Sequence, residues 1–380
     1  MHITAVTAYP LSAPIPPAYQ VSLGIGKTLK RDAVLVRVDT DSDVSGWGEA
    51  HAARAPTVIA ELINSTLGPL VRGMAVEDTA GVWPRVYRNQ LASHGTGAAA
   101  AIALSGIDLA LWDAHGRAQG LPLHTLLGAP ARTIPAYAGG ISLGFQPIES
   151  LLEEALQLVA LGYRALKLRL GASVDEDALR VREVRAALGS DIDLLVDANC
   201  AYTIDEVRAL MPVLDAARVG WLEEPFPAHD VRAYRALRGL GATPIAAGEN
   251  HYTRFDFERL AEEGVVRIWQ PDLSKTGGLT EALQIAALAR EAGARIHPHT
   301  SVTGLNVAAS LHFLCALPDA GYFEADCAQW NPLRTRLTRP CLALTAHGFR
   351  PPSAPGLGTE VDVEALTDYP VITGAGYLKS

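Results

Sequence analysis

The chain has 380 residues, 49% of them hydrophobic, and a net charge of −9, so it is long enough for one large domain and an accessory one. Acidic and basic residues are interspersed and no basic stripe with aromatic residues occurs, which argues against a nucleic-acid partner. The amino terminus lacks the pattern of a signal peptide, and no apolar run approaches the length of a membrane span. The four cysteines form no C-x-x-C pair, and we expect free thiols in a cytoplasmic protein.

Residues 1–125 predict a separate α+β domain. Strands are expected in I-T-A-V-T-A-Y-P-L, in A-V-L-V-R-V-D-T-D and around S-G-W-G-E-A, with a flexible glycine-containing segment from Val21 to Leu29 after the first. From Thr57 to about Gln119 the pattern is helical. A meander of strands followed by helices, before any alternation begins, is typical of an α+β unit.

Residues 126–330 alternate strand-like runs with helical segments, which predicts right-handed βαβ units. Ser173 with Glu176 and Thr203 with Glu206 fit capping boxes at two helix starts. Eight strands at intervals of roughly 25 to 30 residues favour a closed (β/α)8 barrel over an open doubly wound sheet, because no glycine-rich dinucleotide turn follows the first strand. The segment 331–380 is expected to return to the first domain and complete it as a cap on the barrel.

Three consecutive strand-like runs each end on an acidic residue. L-L-V-D-A-N ends on Asp197, G-W-L-E-E-P on Glu223 and P-I-A-A-G-E-N on Glu249. The carboxyl ends of parallel barrel strands converge, so these side chains are expected to lie together. A set of carboxylate oxygens suits a hard divalent cation, Mg²⁺ or Mn²⁺. One acid in such a place is commonly only a helix cap, but three in phase favour a metal site.

The other strand ends add bases and cations to the same edge of the barrel. In chain order they are Lys167, Arg169, Asn199, Asp272, His299 and Glu324. Taken singly, His299 would be a core histidine, Lys167 a solvated strand-end lysine and Asn199 a helix cap. Their common edge favours a catalytic site instead.

Several neighbouring residues are left without an assigned role. Glu224 is open between a metal ligand and a group behind the ligands. His51 and His94 are expected to pack or to lie at the surface, and His297 is expected to pack or to hydrogen-bond within its strand. Two loops of the first domain, Val21 to Leu29 and Glu49 to Ala55, are the candidates for closing the barrel mouth and selecting the substrate.

Seven motifs together resemble the enolase superfamily, and within it the mandelate racemase type. They are A-L-K-L-R-L, V-D-A-N, W-L-E-E-P, G-E-N, Q-P-D-L-S-K-T-G-G, I-H-P-H and Y-F-E, and L-S-G-I-D-L-A-L-W-D with P-G-L-G-T-E extends the likeness over nearly the full chain. A lysine or histidine base acting with magnesium is a known example of this superfamily's chemistry.

The resemblance implies a role for each residue of this edge, and it also implies a homo-oligomer. Asp197, Glu223 and Glu249 would bind Mg²⁺. Asp272 and His299 would form the base pair, in which the carboxylate fixes the imidazole tautomer. Glu324 would be protonated and donate a hydrogen bond to a developing oxyanion, and Lys167 would serve as an acid or a substrate ligand.

Two positions, Asp272 and Arg169, reduce the number of reaction types that the resemblance allows. Where muconate-cycloisomerase-like members resemble K-x-x-K, with the first lysine a base, this chain has Asp272. Arg169 replaces the second lysine of the racemase pattern K-x-K, and arginine does not deprotonate in proteins. The positive charge of Arg169 is expected to lower the pKa of Lys167. Arg169 is also expected to bind a substrate carboxylate or hydroxyl, with Asn199 as a second substrate ligand.

A single working base favours β-elimination. His299 would take the proton next to a carboxylate and return a proton to the departing oxygen on the same face. Dehydration of an acid sugar to a 2-keto-3-deoxy acid is therefore the leading hypothesis. Opening of a sugar-acid lactone or anhydro sugar acid by a cycloisomerase uses the same chemistry, and racemisation or a non-catalytic, degenerate barrel are open alternatives. The expected partner is a small carboxylate, with no role for nucleic acid or membrane.

Overall fold

The computed structural model describes residues 1–94, 97–300, 302–346 and 348–379. The side chain of His94 is outside this part, and so is the expectation for it. Strands and helices of the first 128 residues are β1 (Ile3–Pro14), β2 (Ser22–Leu23), β3 (Gly26–Thr28), β4 (Lys30–Thr40), β5 (Ser45–His51), α1 (Pro56–Leu62), α2 (Gly68–Val71), α3 (Thr79–Val86), α4 (Ala92–His94), α5 (Ala98–Gln119) and α6 (Leu123–Leu126). Shorter turns are 3-10 at Pro17–Tyr19 and π at Ile63–Leu67 and Tyr87–Leu91.

Strands β1, β4 and β5 form the antiparallel meander that the sequence predicts, and α5 packs against it. The close approach depends on the glycines of S-G-W-G. A Cβ on Gly48 would stand 2.3 Å from the carbonyl oxygen of Gly106 in α5, and one on Gly46 would stand 2.1 Å from that of Ala110. Side chains at these two positions would therefore push the helix away from the sheet.

Eight parallel strands follow, as predicted. They are β6 (Ala136–Gly139), β7 (Ala165–Arg169), β8 (Asp193–Asp197), β9 (Leu222–Glu223), β10 (Ile245–Ala247), β11 (Val266–Trp269), β12 (Arg295–Ile296) and β13 (Phe323–Asp326), and the helices between them are α7 (Ile148–Ala160), α8 (Val174–Leu188), α9 (Ile204–Ala216), α10 (Val231–Arg235), α11 (Thr253–Glu263), α12 (Gly278–Ala292) and α13 (Gly304–Ala316).

Consecutive strands are neighbours from β6 to β12, and β13 returns to pair with β6. In the described ranges β12 and β13 share no ladder, but the Gly321 N–H donates to the Ile296 carbonyl at 3.1 Å and bridges this seam. The barrel interior is filled by buried side chains of successive strands, among them Tyr137, Leu195, Trp221 and Ile268. The carboxyl ends of the strands therefore surround one mouth.

The last segment contains α14 (Pro332–Thr335), β14 (Thr338–Arg339), β15 (Glu360–Val361), a 3-10 turn at Glu364–Asp368 and β16 (Tyr377–Leu378). Strand β16 pairs antiparallel with β3, which also pairs with β2. Val21 to Leu29, expected to be flexible, therefore contains a hairpin that is extended by the end of the chain. The predicted domain limits at residues 125 and 330 stay predictions. Within the described residues, no helix has both the length and the apolar character to cross a bilayer.

Candidate active site

A cavity of about 500 Å³ lies at the carboxyl ends of the barrel strands. Barrel residues that line it include Arg169, Asn199, Glu224, Glu249, Lys275 and His299. The first domain contributes Leu23, Ile25 and residues 51–54, so both loops proposed from the sequence reach the mouth. Polar groups from both domains thus face one space.

The three acids proposed as metal ligands lie at this mouth, each beside a basic side chain. Asp197 contacts the Arg169 guanidinium. Glu223 accepts from Lys167 Nζ at 2.8 Å, and Glu249 Oε2 lies 2.9 Å from His299 Nε2. Burial raises the pKa of Glu223, against the charge of Lys167, and the neighbouring carboxylates add to the rise. The arrangement concentrates negative charge and balances it with three separate basic groups.

The chemistry of these donors fits a hard divalent cation, because all of them are carboxylate oxygens at adjacent strand ends. The side chains are nevertheless turned toward their basic partners, and no three acidic, histidine or cysteine groups in the described ranges surround a common point at metal-binding distance. The ligand roles of Asp197, Glu223 and Glu249 therefore stay a prediction. A bound cation would take over the compensation that the basic side chains now provide.

The predicted base pair is brought together. His299 Nδ1 lies 2.7 Å from Asp272 Oδ2, and the other oxygen of Asp272 accepts from the Ser274 N–H and hydroxyl, both at 2.7 Å, and from Asn306 Nδ2 at 2.8 Å. Burial opposes ionisation of Asp272, yet the hydrogen bond to His299 holds its pKa well below the usual range. The carboxylate is thus fixed, and it sets the His299 tautomer with the proton on Nδ1.

His299 is charged in this arrangement. Burial alone would favour the neutral ring, but Glu249 and Glu324 raise the pKa of His299 well above its ordinary value. To act as a base, the ring has to lose its contact with Glu249 on Nε2 and become neutral.

Lys167 and Glu324 differ from the expectations. Lys167 Nζ lies 2.8 Å from Glu223, 2.9 Å from Glu324 and 3.6 Å from Asp197. Burial lowers the pKa of Lys167, but these carboxylates outweigh burial and raise it well above the normal value. The lowering expected from Arg169 stays a prediction. Lys167 in turn outweighs burial and holds the pKa of Glu324 below its ordinary value. Glu324 is therefore a carboxylate here, not the neutral donor that was expected.

Arg169 and Asn199 both line the cavity and contact each other. The Arg169 guanidinium also contacts the Gly140 carbonyl, and the Asn199 N–H donates to Asp197 at 2.8 Å. Asn199, Cys200 and Glu224 have positive φ angles of 45°, 62° and 38°. Such strain at non-glycine residues is common at functional sites.

Lys275 and His51 are among the cavity residues that sequence reasoning missed. Lys275 Nζ lies 3.9 Å from Glu249 and 3.3 Å from Asn250 Oδ1, and the turn after Asp272 brings it there, since the Lys275 N–H donates to the Asp272 carbonyl. The sequence feature that could have revealed Lys275 is the lysine that ends the motif Q-P-D-L-S-K. His51, expected to pack or lie at the surface, lines the cavity instead, and burial lowers its pKa to about 3.

Glu224 faces the cavity, whereas His297 lies inside the barrel. Both oxygens of Glu224 accept from Asn250 Nδ2, at 2.8 and 3.1 Å, and Glu224 faces the cavity. His297 packs inside the barrel against Trp221, with ring centroids 5.0 Å apart, and accepts from the Tyr322 N–H. His297 therefore packs as expected, while Glu224 stays open between a ligand and a supporting group.

A second cavity, of about 580 Å³, opens at the amino-terminal end of the strands. Arg238, Arg267 and Arg295 line it, and the base pair and the three acids do not. In barrel enzymes the chemistry occurs at the carboxyl ends of strands, so the first cavity is the candidate active site.

Fold and site together define a capped-barrel enzyme that acts on small molecules at a carboxylate-rich mouth. Residues 5–128 match the mandelate racemase / muconate lactonizing enzyme N-terminal domain, and residues 150–366 match the enolase C-terminal domain-like family. The chain belongs to the enolase superfamily, in the mandelate racemase subgroup. Members of this superfamily use a divalent metal.

Relatives of known activity cover most of the chain. The D-galactarolactone cycloisomerase of Agrobacterium fabrum is 34% identical over 90% of this chain and 92% of its own. The D-galactonate dehydratase of Ralstonia pickettii is 33% identical over 88% and 89%. The crystal structure of an enolase-superfamily member from Polaromonas sp. JS666 is 50% identical, covers 100% of both chains and superimposes with a TM-score of 0.96.

Proposed function

We propose that the protein is a magnesium-dependent lyase that removes water from an acid sugar and gives a 2-keto-3-deoxy acid. The observation that carries this proposal is the Asp272–His299 pair at 2.7 Å, beside a cluster of carboxylates. The related D-galactonate dehydratase supports the substrate class. A small carboxylate with hydroxyl groups fits the polar lining of the mouth.

Asp197, Glu223 and Glu249 are the residues that would hold Mg²⁺. When bound, the cation supplies a Lewis acid that neutralises charge as the proton next to a carboxylate is removed. Glu249 Oε2 now contacts the His299 ring at 2.9 Å and would instead help to hold the cation.

The reaction uses His299 twice. Neutral His299 takes the α-proton on Nε2, while Asp272 holds Nδ1 and stabilises the imidazolium. An enediolate forms on the substrate, and the same ring then gives a proton to the departing hydroxyl. Arg169, which lines the cavity, and Lys167, which is buried beside Glu223, carry positive charge and would orient the substrate, with Asn199 as a hydrogen-bonding partner. Arg169 cannot act as a second base, so inversion at the α-carbon is not expected.

A second candidate is ring opening of a sugar-acid lactone, favoured by Arg54. Arg54 lines the cavity and stacks over the Tyr377 ring at 4.9 Å, and among the described residues no carboxylate forms an ion pair with it. A guanidinium in this place at the mouth suits the distal carboxylate of a dicarboxylic acid or its lactone. The related D-galactarolactone cycloisomerase supports this alternative.

The test is incubation with Mg²⁺ in D2O with aldonic acids, aldaric acids, aldarolactones and anhydro sugar acids, followed by proton NMR. Loss of the α-proton with new 3-deoxy signals from an open-chain acid supports dehydration. Product from lactones or anhydro acids alone supports the cycloisomerase. Exchange at the α-carbon with an unchanged skeleton would mean racemisation, and metal binding without turnover of any compound would favour a degenerate barrel.

We also infer a cytoplasmic setting and a homo-oligomer. All four cysteines are free thiols, which suits a reducing compartment. Leu156, Leu161 and Leu179 are exposed on the outer side of the barrel, Leu161 to 71%. Sedimentation at micromolar concentration tests the second inference, and a monomer would contradict it.

A further inference from the structure

Glu49 is a fully buried carboxylate of the first domain that binds the barrel directly behind the base. It lies in β5, and its oxygens accept hydrogen bonds from the Val302 N–H and the Thr303 N–H, both at 3.0 Å, and from the Thr303 hydroxyl at 2.5 Å. Val302 and Thr303 are the third and fourth residues after His299. One side chain thus holds two described residues that lie shortly after the base.

The same contacts reach the other member of the base pair. Thr303 is the N-cap of α13, and in the first turn of that helix Asn306 donates to Asp272 Oδ1 at 2.8 Å. Ser310, one turn later, donates to Asn306 Oδ1 at 2.9 Å and orients its amide. Holding the start of α13 therefore fixes His299 from one side and Asp272 from the other.

A second buried acid of the first domain acts in the same way on the helix after Asp272. Helix α12 begins after Gly277 and has no capping side chain of its own. Asp108 of α5 accepts from the Thr280 N–H at 3.0 Å, and Ser105 of α5 accepts from the Gly277 N–H at 2.8 Å. The starts of both helices that follow the base-pair strands are thus hydrogen-bonded to side chains of the other domain.

We propose that Glu49 is a positioning residue for the Asp272–His299 pair, so that the first domain supports the base as well as closing the mouth. The inference rests on the proposed role of His299 as the base. Displacement of a reacting group by about 1 Å is enough to slow a reaction by roughly a hundredfold. A carboxylate that holds the base from outside the barrel can therefore control the rate without touching substrate.

Glu49→Gln keeps the shape of the side chain but turns an amide N–H group toward a backbone N–H or the Thr303 hydroxyl, so at least one hydrogen bond is lost. We expect kcat to fall roughly ten- to hundredfold, with KM within about twofold. Thr303→Val removes the hydroxyl donor to Glu49 together with the N-cap bond that this hydroxyl accepts from the Leu305 N–H at 3.2 Å, so it should lower kcat in the same direction, and Thr303→Ser, which keeps both bonds, should restore kcat.

Asp113→Asn is the matched control. Asp113 is also a buried acid of the first domain, but it accepts from the N–H groups of Trp47 and Leu357, at 2.8 and 2.7 Å, away from the base pair. Both variants should lower the urea midpoint, and only Glu49→Gln should lower kcat. A Glu49→Gln protein with lowered stability and unchanged kcat would overturn the proposal.

Two further measurements separate this proposal from the proposed function. In a His299→Asn background, Glu49→Gln should cause no additional loss of the residual rate, and an equal loss in both backgrounds would overturn the positioning role. Proton NMR of the substrate-free protein should show a low-field Nδ1–H signal that disappears in His299→Asn and is broadened or shifted in Glu49→Gln but not in Asp113→Asn. This signal needs no turnover, so an unchanged signal overturns the inference whatever the substrate proves to be.

Discussion

His297 and His299 lie two residues apart, but their pKa values are shifted in opposite directions. Burial lowers the pKa of His297 to about 3, whereas the acids around His299 raise its pKa above the ordinary value despite burial. The family resemblance implied the Asp272 partner, and the convergence of strand ends is consistent with it. The sequence did not predict the charge of Lys167 or Glu324, because that depends on which carboxylates Lys167 reaches. Glu223, Glu324 and Asp197 all lie within 3.6 Å of its Nζ.

His299→Asn is expected to lower kcat by roughly a hundredfold to ten-thousandfold, the usual contribution of a general base. The protein should stay folded, as judged by circular dichroism. His297→Gln is the control, because His297 contacts Trp221 and Tyr322 inside the barrel and not the cavity of the base pair. It should lower stability and leave kcat within about twofold. Equal kcat losses in the two variants would contradict the assignment of His299.

Strands and helices were predictable where the determinants are local. The eight barrel strands are predicted by short apolar runs, each followed by polar residues. Helix ends are predicted by C-cap glycines such as Gly264 and Gly293, both of which adopt the left-handed conformation. The hairpin of β2 and β3 was not predictable, because its third strand is Tyr377–Leu378, about 350 residues away. That pairing requires a glycine at position 26, because a Cβ there would lie 2.5 Å from the Leu378 backbone.

The two predicted capping boxes should differ in energy. Thr203 forms the complete box with Glu206, while Ser173 accepts from the Glu176 N–H without the reciprocal bond to its own N–H. Glu206→Ala removes the reciprocal bond, which the Thr203 N–H donates to Glu206 Oε2 at 2.7 Å, and should therefore lower the free energy of unfolding by about 1 kcal/mol, and Glu176→Ala by less. Urea unfolding followed by circular dichroism measures both. A larger loss for Glu176→Ala would show that the reciprocal bond does not contribute.

At the scale of the whole molecule, buried polar groups join the parts of the chain. Glu49, Asp108 and Asp113 of the first domain accept backbone N–H bonds from Thr303, Thr280 and Leu357. The sequence showed these acids only as single polar residues in apolar elements. Their partners are at least 170 residues away, so no local pattern could pair them.

His312 joins three parts of the chain and should make stability depend on pH. In α13, its Nδ1 accepts from the His124 N–H at 3.0 Å and its Nε2 lies 3.2 Å from the Leu357 carbonyl. Burial lowers its pKa to about 3, while an unfolded histidine titrates near 6.5. Below about pH 6.5 the unfolded chain binds a proton that the native ring refuses, so stability falls as pH decreases toward about 3.

The slope belonging to His312 is about 1.4 kcal/mol per pH unit in that window. Glutamine at this position can accept and donate hydrogen bonds but does not titrate, so His312→Gln should remove that slope while lowering stability at pH 7. Urea unfolding at a series of pH values between 6 and 4 gives both slopes. Parallel curves for the two proteins would mean that His312 is protonated in the folded state, and that the contact with His124 is not a bond to a neutral ring.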